Sequence, residues 1–120
     1  MSTKEMLIRP ADLSNGDFAG NDLRGFDLRW ADMTGADFFK SNMRRVDMRC
    51  ANLENANLEG ADLEYADLQG ANMKNANLEG ANLNRTNLMH VDLTGAKLEG
   101  ARKIDKAIMY FVEGYDAGQV

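Results

Sequence analysis

The chain repeats one five-residue phrase, Ala-(Asp/Asn)-Leu-x-x, eighteen times from Ala11 to Gly100 without an insertion. The first residue of a repeat is usually small, and the second is Asp or Asn except in the last repeat, where it is Lys97. The third, central residue is always large and apolar. The central residues are Leu13, Phe18, Leu23, Leu28, Met33, Phe38, Met43, Met48, Leu53, Leu58, Leu63, Leu68, Met73, Leu78, Leu83, Leu88, Leu93 and Leu98. Self-similarity of this kind is typical of a repeat architecture.

A five-residue period excludes the ordinary secondary structures. On an α-helix, successive central residues would drift by roughly 140° around the axis and would form no stripe. On a flat strand, an odd period sends alternate central residues to opposite faces. The chain must therefore bend once in every repeat so that each central side chain points inward. A chain that bends in one sense and stacks on itself is a β-solenoid.

The repeats ANLEN, ANLEG and ADLEY at residues 51–65 resemble the motif of the pentapeptide-repeat proteins, and the resemblance covers 90 of the 120 residues. It implies an all-β fold, a right-handed quadrilateral parallel β-helix with four repeats in each coil. The eighteen repeats then make about 4.5 coils (18/4). Residues twenty positions apart should stack, which places Phe18 beside Phe38 and Leu53 beside Met73. We expect the Asp and Asn side chains to accept hydrogen bonds from backbone amides near each turn.

We expect three parts in the chain: an N-terminal cap at residues 1–10, the β-helix at 11–100, and a C-terminal cap or dimerisation segment at 101–120. Within the N-terminal part, Ile8 falls in register as part of a degenerate extra strand, and Pro10 would end the pairing.

Beyond Gly100 the apolar residues fall at helical spacing, which predicts a short amphipathic helix over residues 101–113 that ends at Gly114. We expect this helix to cover the last coil, either alone or together with a homodimer contact. Its predicted cap or dimer contacts are Ile104, Ile108, Phe111 and Val112.

Composition indicates one globular domain rather than a disordered chain, since 44% of the 120 residues are hydrophobic and 28% are charged. No apolar run approaches the roughly 18 residues needed to span a bilayer. The first ten residues lack the apolar segment of a signal peptide. We therefore expect a cytoplasmic protein with no membrane contact, and a single cysteine, Cys50, fits a reducing compartment.

The negative charge is concentrated in the second half of the repeats. Residues 1–50 carry eight basic and eight acidic residues, whereas residues 51–100 carry three basic and eight acidic ones, a net charge of −5. The twenty-residue coil places three glutamates in one column and four arginines in two neighbouring columns. We expect these arginines to pair with local aspartates. The predicted interaction surface consists of Glu59, Glu79, Glu99, Arg24, Arg29, Arg44, Arg49 and the outward aromatics Trp30 and Phe39.

The sequence provides little support for catalysis. Cys50 and His90 share a column but lie two coils, about 10 Å, apart, too far for a thiolate–imidazole pair. No metal-ligand spacing and no glycine-rich phosphate loop is present, so we predict no catalytic, metal or cofactor-binding residues and no enzyme. A pI near 4.8 also disfavours direct binding to nucleic acid.

The favoured interpretation is a rigid interaction surface for an unknown protein partner. The alternative comes from the resemblance, because quinolone-resistance members of the family mimic duplex DNA and occupy the DNA-binding saddle of gyrase or topoisomerase IV. Duplex DNA of about 22 Å, the length of 4.5 coils, carries roughly 13 charges. The net charge of −5 is well below that. A third interpretation is a structural part of a larger assembly.

Overall fold

The computed structural model describes residues 10–120, in which the chain winds as a four-sided β-solenoid. The second residue of each repeat pairs in parallel with the residue twenty positions on, from Asp12 with Asp32 to Asn82 with Arg102. These pairs confirm the predicted twenty-residue coil. Each strand is a single bridged residue, so the described residues contain no longer strand. Of the predicted N-terminal strand at residues 6–10, residues 6–9, including Ile8, lie outside the described residues.

Each coil contributes one repeat to each of four faces, and the fifth residue of a repeat forms the corner that leads to the next face. We number the faces in chain order by the repeats they stack. Face 1 contains residues 11–15, 31–35, 51–55, 71–75 and 91–95; face 2 contains 16–20, 36–40, 56–60, 76–80 and 96–100; face 3 contains 21–25, 41–45, 61–65 and 81–85; and face 4 contains 26–30, 46–50, 66–70 and 86–90.

Every corner is a tight turn with the same backbone chemistry. The first residue of one repeat donates its N–H to the central carbonyl of the repeat before it, as Ala56 does to Leu53 at 3.0 Å. The fifth residue between them, here Asn55, has a positive φ of 62°. This combination is a type II turn, whose third residue must adopt the left-handed conformation. All eighteen fifth residues have a positive φ, and eight of them are glycine.

The Asp and Asn residues complete each turn from outside. Their side-chain oxygen accepts the N–H of the fourth residue, as Asn52 Oδ1 does from Glu54 at 3.1 Å. The same bond occurs in all seventeen repeats that have Asp or Asn at this position, which confirms the predicted role of these side chains.

The core is a column of central residues enclosed by small first residues. Leu53 and Met73 are fully buried neighbours in adjacent coils, and the Leu53 N–H donates to the Asn72 carbonyl at 2.7 Å. Phe18 and Phe38 stack with ring centroids 5.2 Å apart, as the coil length predicts. Burial is complete or nearly complete from the second coil upward, so the hydrophobic effect holds successive coils together.

The predicted helix over residues 101–113 is wrong. Within residues 10–120 the only helices are two single 3₁₀ turns, Ile104–Lys106 and Ala117–Gln119. The solenoid instead continues: Ile108 pairs with Asn87, and Glu113 pairs with Asp92. These partners are 21 residues apart rather than twenty, because the first 3₁₀ turn absorbs one extra residue.

The physical reason is the open edge of the preceding coil. A segment of 13 residues is marginal as an isolated helix. The edge of face 4 offers backbone partners to an extended chain, and the Ile108 N–H donates to the Thr86 carbonyl at 2.9 Å. Face 4 therefore gains a fifth, imperfect repeat at residues 107–111. None of the described helices is long and apolar enough to cross a membrane.

The corners generate a stability prediction. Gly80 has a φ of +67°, and a Cβ added there would meet no atom within 4 Å, so Gly80→Ala should lower the unfolding free energy by about 1 kcal/mol through backbone strain alone. Gly114→Ala should cost more, since its Cβ would also lie 2.5 Å from the Thr94 amide nitrogen. Urea unfolding followed by circular dichroism measures both.

Gly118→Ala is the matched control, because Gly118 has no positive φ and the nearest atom to its added Cβ is 3.5 Å away. We expect this substitution to change the unfolding free energy by less than about 0.5 kcal/mol. Equal losses of unfolding free energy in all three variants would contradict the conclusion that the left-handed corners are the positions where a Cβ causes strain.

Candidate interaction surface

The four arginines predicted to lie on the surface each contact a carboxylate. Arg24 pairs with Asp22 at 2.7 Å, and Arg44 pairs with Glu64 at 2.6 Å and with Asp62 at 3.5 Å. Local pairing between arginine and acidic residues is thus confirmed. These exposed pairs each add little to stability. They do neutralise the basic cluster that the sequence placed on faces 3 and 4.

On face 4 the pairs join into one vertical ladder, which we call the ion-pair ladder: Asp27, Arg29, Asp47, Arg49 and Asp67. Within each coil the Arg–Asp distance is 2.7 or 2.8 Å, and between coils it is 3.8 Å. The hydrogen bonds from Arg29 lower the pKa of Asp27 from 3.8 to about 2. The centre of face 4 is therefore charged but nearly balanced.

The predicted acidic column is present on face 2. Glu59, Glu79 and Glu99 occupy equivalent positions in successive coils, and none of them has a basic group within 4 Å among residues 10–120. Phe39, one coil below, is partly buried, and the Lys40 ammonium lies 5.1 Å from its ring centre. Phe39 is thus less available to a partner than the sequence suggested.

Large side chains at the strained corner position are distributed unevenly. The corners after faces 1 and 2 hold glycine or asparagine, with Lys40 as the exception. The two corners that border face 4 have glycine at only two of eight repeats, Gly25 and Gly70, and hold arginine, tyrosine, tryptophan, cysteine or histidine in the left-handed conformation at the other six. A non-glycine residue costs roughly 1–2 kcal/mol there, and asparagine costs less than most. These large residues are Arg45, Tyr65 and Arg85 after face 3, and Trp30, Cys50 and His90 after face 4.

Exposed large apolar residues are concentrated in the same region. Seven are exposed among the described residues, and six of them lie on face 4 or on a corner that borders it; only Val120 lies elsewhere. Exposed fractions reach 63% for Trp30 and 73% for Phe111. Scattered surface apolar residues need no explanation, but a concentration on one side marks an interaction site. The six residues are Phe26, Trp30, Tyr65, Ile108, Tyr110 and Phe111.

The corner after face 3 carries what we call the Arg–Tyr ridge: Arg45, Tyr65 and Arg85 in successive coils. The guanidinium carbon of Arg45 lies 4.6 Å from the Tyr65 ring centre, and that of Arg85 lies 5.9 Å away on the same ring. Both distances are within the range of cation–π attraction. The three exposed side chains therefore hold one another in place.

The corner after face 4 carries the Trp–His ridge: Trp30, Cys50, Gly70, His90 and Phe111. The His90 and Phe111 rings stack in parallel with centroids 4.8 Å apart. Gly70 leaves a notch in the ridge, and the exposed Cys50 thiol lies directly below it. Among residues 10–120, no group of three His, Cys, Asp or Glu side chains is placed to hold a metal ion.

The predicted cap or dimer contacts separate into two groups. Ile104 and Val112 are partly buried against the last coil, whereas Ile108 and Phe111 are exposed at the upper end of face 4. The final residues fold back over face 2, where the Gln119 side chain donates to the Ala96 carbonyl at 3.5 Å. Ile108 and Phe111 thus extend the apolar surface of face 4 upward.

A family model described as pentapeptide repeats matches residues 11–49, 41–80 and 66–102. Together these segments include every repeat. This chain belongs to the pentapeptide-repeat family. The comparison with curated proteins finds no match.

Two solved structures, of HetL and QnrB1, have the same type of fold as this chain. HetL is a pentapeptide-repeat protein involved in heterocyst differentiation regulation in the cyanobacterium Nostoc sp. strain PCC 7120. It is 30% identical to this chain with a TM-score of 0.60, and the alignment covers 86% of this chain and 48% of HetL. This chain therefore spans about half the length of HetL. QnrB1, a plasmid-mediated fluoroquinolone resistance protein, is 20% identical with a TM-score of 0.51, covering 90% of this chain and 61% of QnrB1. A pentapeptide-repeat protein of the Arabidopsis thaliana thylakoid lumen is 31% identical with a TM-score of 0.48. The alignment covers 81% of this chain and 71% of the Arabidopsis protein.

The sequence did point to part of this surface, but Tyr65 and Arg85 were missed. The available signal was the fifth position of the pentapeptide, which is glycine in eight repeats and asparagine in three more. Those are the two residues that tolerate the left-handed conformation best. Bulky residues at that position stand out once its conformation is known.

The ion-pair ladder generates a prediction on pH. Because the pKa of Asp27 is lowered in the folded protein, its bonds stabilise the fold above pH of about 4 and lose that contribution as the pH falls through about 2. Arg29→Met removes the main donor and should move the Asp27 carboxyl titration upward, toward 3.8. Carbon-detected NMR titration measures this midpoint. Arg85→Met, which removes a charge outside the ladder, should leave the Asp27 titration midpoint unchanged. An equal shift of that midpoint in both variants would contradict the conclusion that Arg29 lowers the pKa of Asp27.

Proposed function

We propose that this pentapeptide-repeat chain is a non-enzymatic module that binds another protein through face 4 and the two ridges that border it. The observation that carries the proposal is the distribution of exposed large apolar residues, six of seven of which lie in that region. Tryptophan, tyrosine and arginine are the residues that most often dominate binding energy at protein interfaces. All three are present on the ridges.

Rigidity supports this role. Six of the eight ridge residues donate their backbone N–H to a carbonyl of the coil above, as the Tyr65 N–H does to the Asn84 carbonyl at 3.0 Å. The exceptions are Arg85 and Phe111 at the upper ends of the ridges. A backbone that is already fixed in this way loses little conformational freedom on binding. The ridges therefore present a preorganised surface.

Backbone strain gives a second, independent argument. Trp30 has a φ of 63° and Tyr65 a φ of 60°, at a position where glycine would be less strained. Glycine does occupy the same position in eight other repeats. Strained residues that persist in a fold are concentrated at functional sites. Binding to a partner accounts for the large side chains that these two corners retain at a cost in stability.

The proposal predicts opposite effects on stability and binding. Trp30→Gly relieves the left-handed strain and removes a 63% exposed side chain, so the unfolding free energy should stay the same or rise by up to about 1 kcal/mol. Capture of the partner from a lysate of the source cell should fall at least about tenfold, as expected for a hot-spot residue. Urea unfolding and quantitative affinity capture measure the two effects.

Asn55→Gly is the matched control, since it changes the same turn position on the corner after face 1. It should bind the partner like the parent chain. Equal capture by the Trp30→Gly variant would contradict the proposal. Light scattering that shows a dimer lost in that variant would assign the face to a second copy of this chain instead.

A DNA-mimicking inhibitor of a type II topoisomerase is the second candidate. The observation that favours it is the acidic column of Glu59, Glu79 and Glu99, which has no basic partner within 4 Å among the described residues. The likeness to QnrB1, at 20% identity, concerns the fold alone. The paired carboxylates on faces 3 and 4 are less available to imitate phosphates, which favours the first candidate.

Gyrase supercoiling in the presence of the purified chain tests the second candidate. The DNA-mimic account predicts inhibition at micromolar concentration that the triple variant Glu59→Gln, Glu79→Gln, Glu99→Gln weakens. No inhibition at tens of micromolar would exclude a gyrase inhibitor. Inhibition that the triple variant retains would exclude the acidic column as its cause.

A further inference from the structure

We propose that the Arg–Tyr ridge binds carboxylates of the partner, and that the matching ligand is an extended acidic segment with two carboxylates three residues apart. This inference rests on the proposed function, since it assigns a chemistry to one edge of the face 4 surface. It concerns Arg45, Tyr65 and Arg85, whose side chains are exposed and are not part of the buried core.

The first argument is the absence of local carboxylate partners. Of the six arginines in the repeats, four make ion pairs within 4 Å, but Arg45 and Arg85 make none with any described residue. Glu64, the acidic residue next to Tyr65 in the sequence, is already engaged, because its oxygens accept from Arg44 at 2.6 Å and from Asn84 at 2.9 Å. Two guanidinium groups thus keep their hydrogen-bonding capacity for an external acceptor.

The second argument is their placement on Tyr65. The guanidinium carbons of Arg45 and Arg85 lie 4.6 and 5.9 Å from the centre of the Tyr65 ring. Cation–π attraction to that ring uses none of the N–H donors, which remain available to an external acceptor. All three backbones are in the left-handed region, with φ between 56° and 60°. Preorganised guanidinium groups are the residues best suited to bidentate binding of carboxylate.

The spacing of the ridge selects the ligand. Arg45 and Arg85 are two coils apart, which corresponds to about 10 Å. In a polyproline II segment, residues three apart point to the same side and are about 9.3 Å apart. A Glu-x-x-Glu segment in this conformation therefore presents one carboxylate to each arginine.

Fluorescence anisotropy with a labelled peptide Pro-Glu-Pro-Pro-Glu-Pro tests the inference at low ionic strength. The double variant Arg45→Gln, Arg85→Gln should bind this peptide at least about tenfold more weakly than the parent chain, because charge-assisted hydrogen bonds are lost. Arg24→Gln with Lys74→Gln removes the same amount of charge from ion-paired positions on faces 3 and 1, outside the proposed binding surface, and should change the affinity less than about twofold.

Three outcomes would overturn the inference. The first is equal weakening by both double variants, which would indicate general charge attraction. The second is binding of a peptide with adjacent glutamates as tightly as the spaced one. The third is tighter binding of inorganic phosphate or of a single-stranded oligonucleotide than of the peptide, which would assign the ridge to phosphate. Circular dichroism of each variant confirms that the solenoid is folded.

The same variants separate this inference from the proposed function. If Trp30→Gly abolishes capture of the partner but Arg45→Gln with Arg85→Gln leaves it unchanged, face 4 is the binding site and the carboxylate assignment fails. If the spaced peptide binds as predicted while Trp30→Gly captures the partner normally, the ridge chemistry is correct and the face 4 proposal fails.

Discussion

The left-handed corner at the fifth residue of every repeat is the constraint on which the rest of the structure depends. It turns the chain so that each central side chain enters the core and each Asp or Asn side chain remains outside, where it bonds the fourth amide. Because the corner recurs every five residues, four corners close a coil, and the backbone bridges from Asp12–Asp32 to Asn82–Arg102 join residues twenty positions apart. The core, the ion-pair ladder and the ridges all follow from that register.

The same corner links the fold to its surface chemistry. A side chain at the fifth position points outward from a fixed turn and costs conformational energy, so glycine is the least strained choice wherever no contact is needed. The corner after face 2 largely follows this rule, with glycine in four of its five repeats. The corners around face 4 depart from it at Arg45, Tyr65 and Trp30, and the exposed aromatic residues lie beside them. Strain and exposed apolar surface therefore point to one side of the solenoid.

Much of the fold could be predicted from the sequence, because a five-residue period that recurs eighteen times fits neither an α-helix nor a flat strand and leaves only a solenoid. Stacking of Phe18 on Phe38 and pairing of Arg24 with Asp22 both follow from the repeat. The predicted helix over residues 101–113 was wrong because two patterns overlap there. Ile104, Ile108 and Val112 fit helical spacing, whereas Ala101, Ala107 and Val112 fit solenoid repeats of which the first is lengthened by one residue. The twenty-residue coil already places Arg45, Tyr65 and Arg85 in one column, but the Arg–Tyr ridge could not be recognised without the left-handed backbone conformation that makes large residues costly at this corner.

Residue-resolved amide hydrogen exchange tests the corner-based register most directly. Central amides such as Leu53 bond across coils, whereas fourth-position amides such as Glu54 bond only to an outer side chain. The structure predicts slow exchange with minima of protection every five residues, continuing past Gly100 to slow exchange at Ile108 and Glu113. Continuous protection over residues 101–113, or protection without a five-residue period between Ala31 and Gly100, would contradict it.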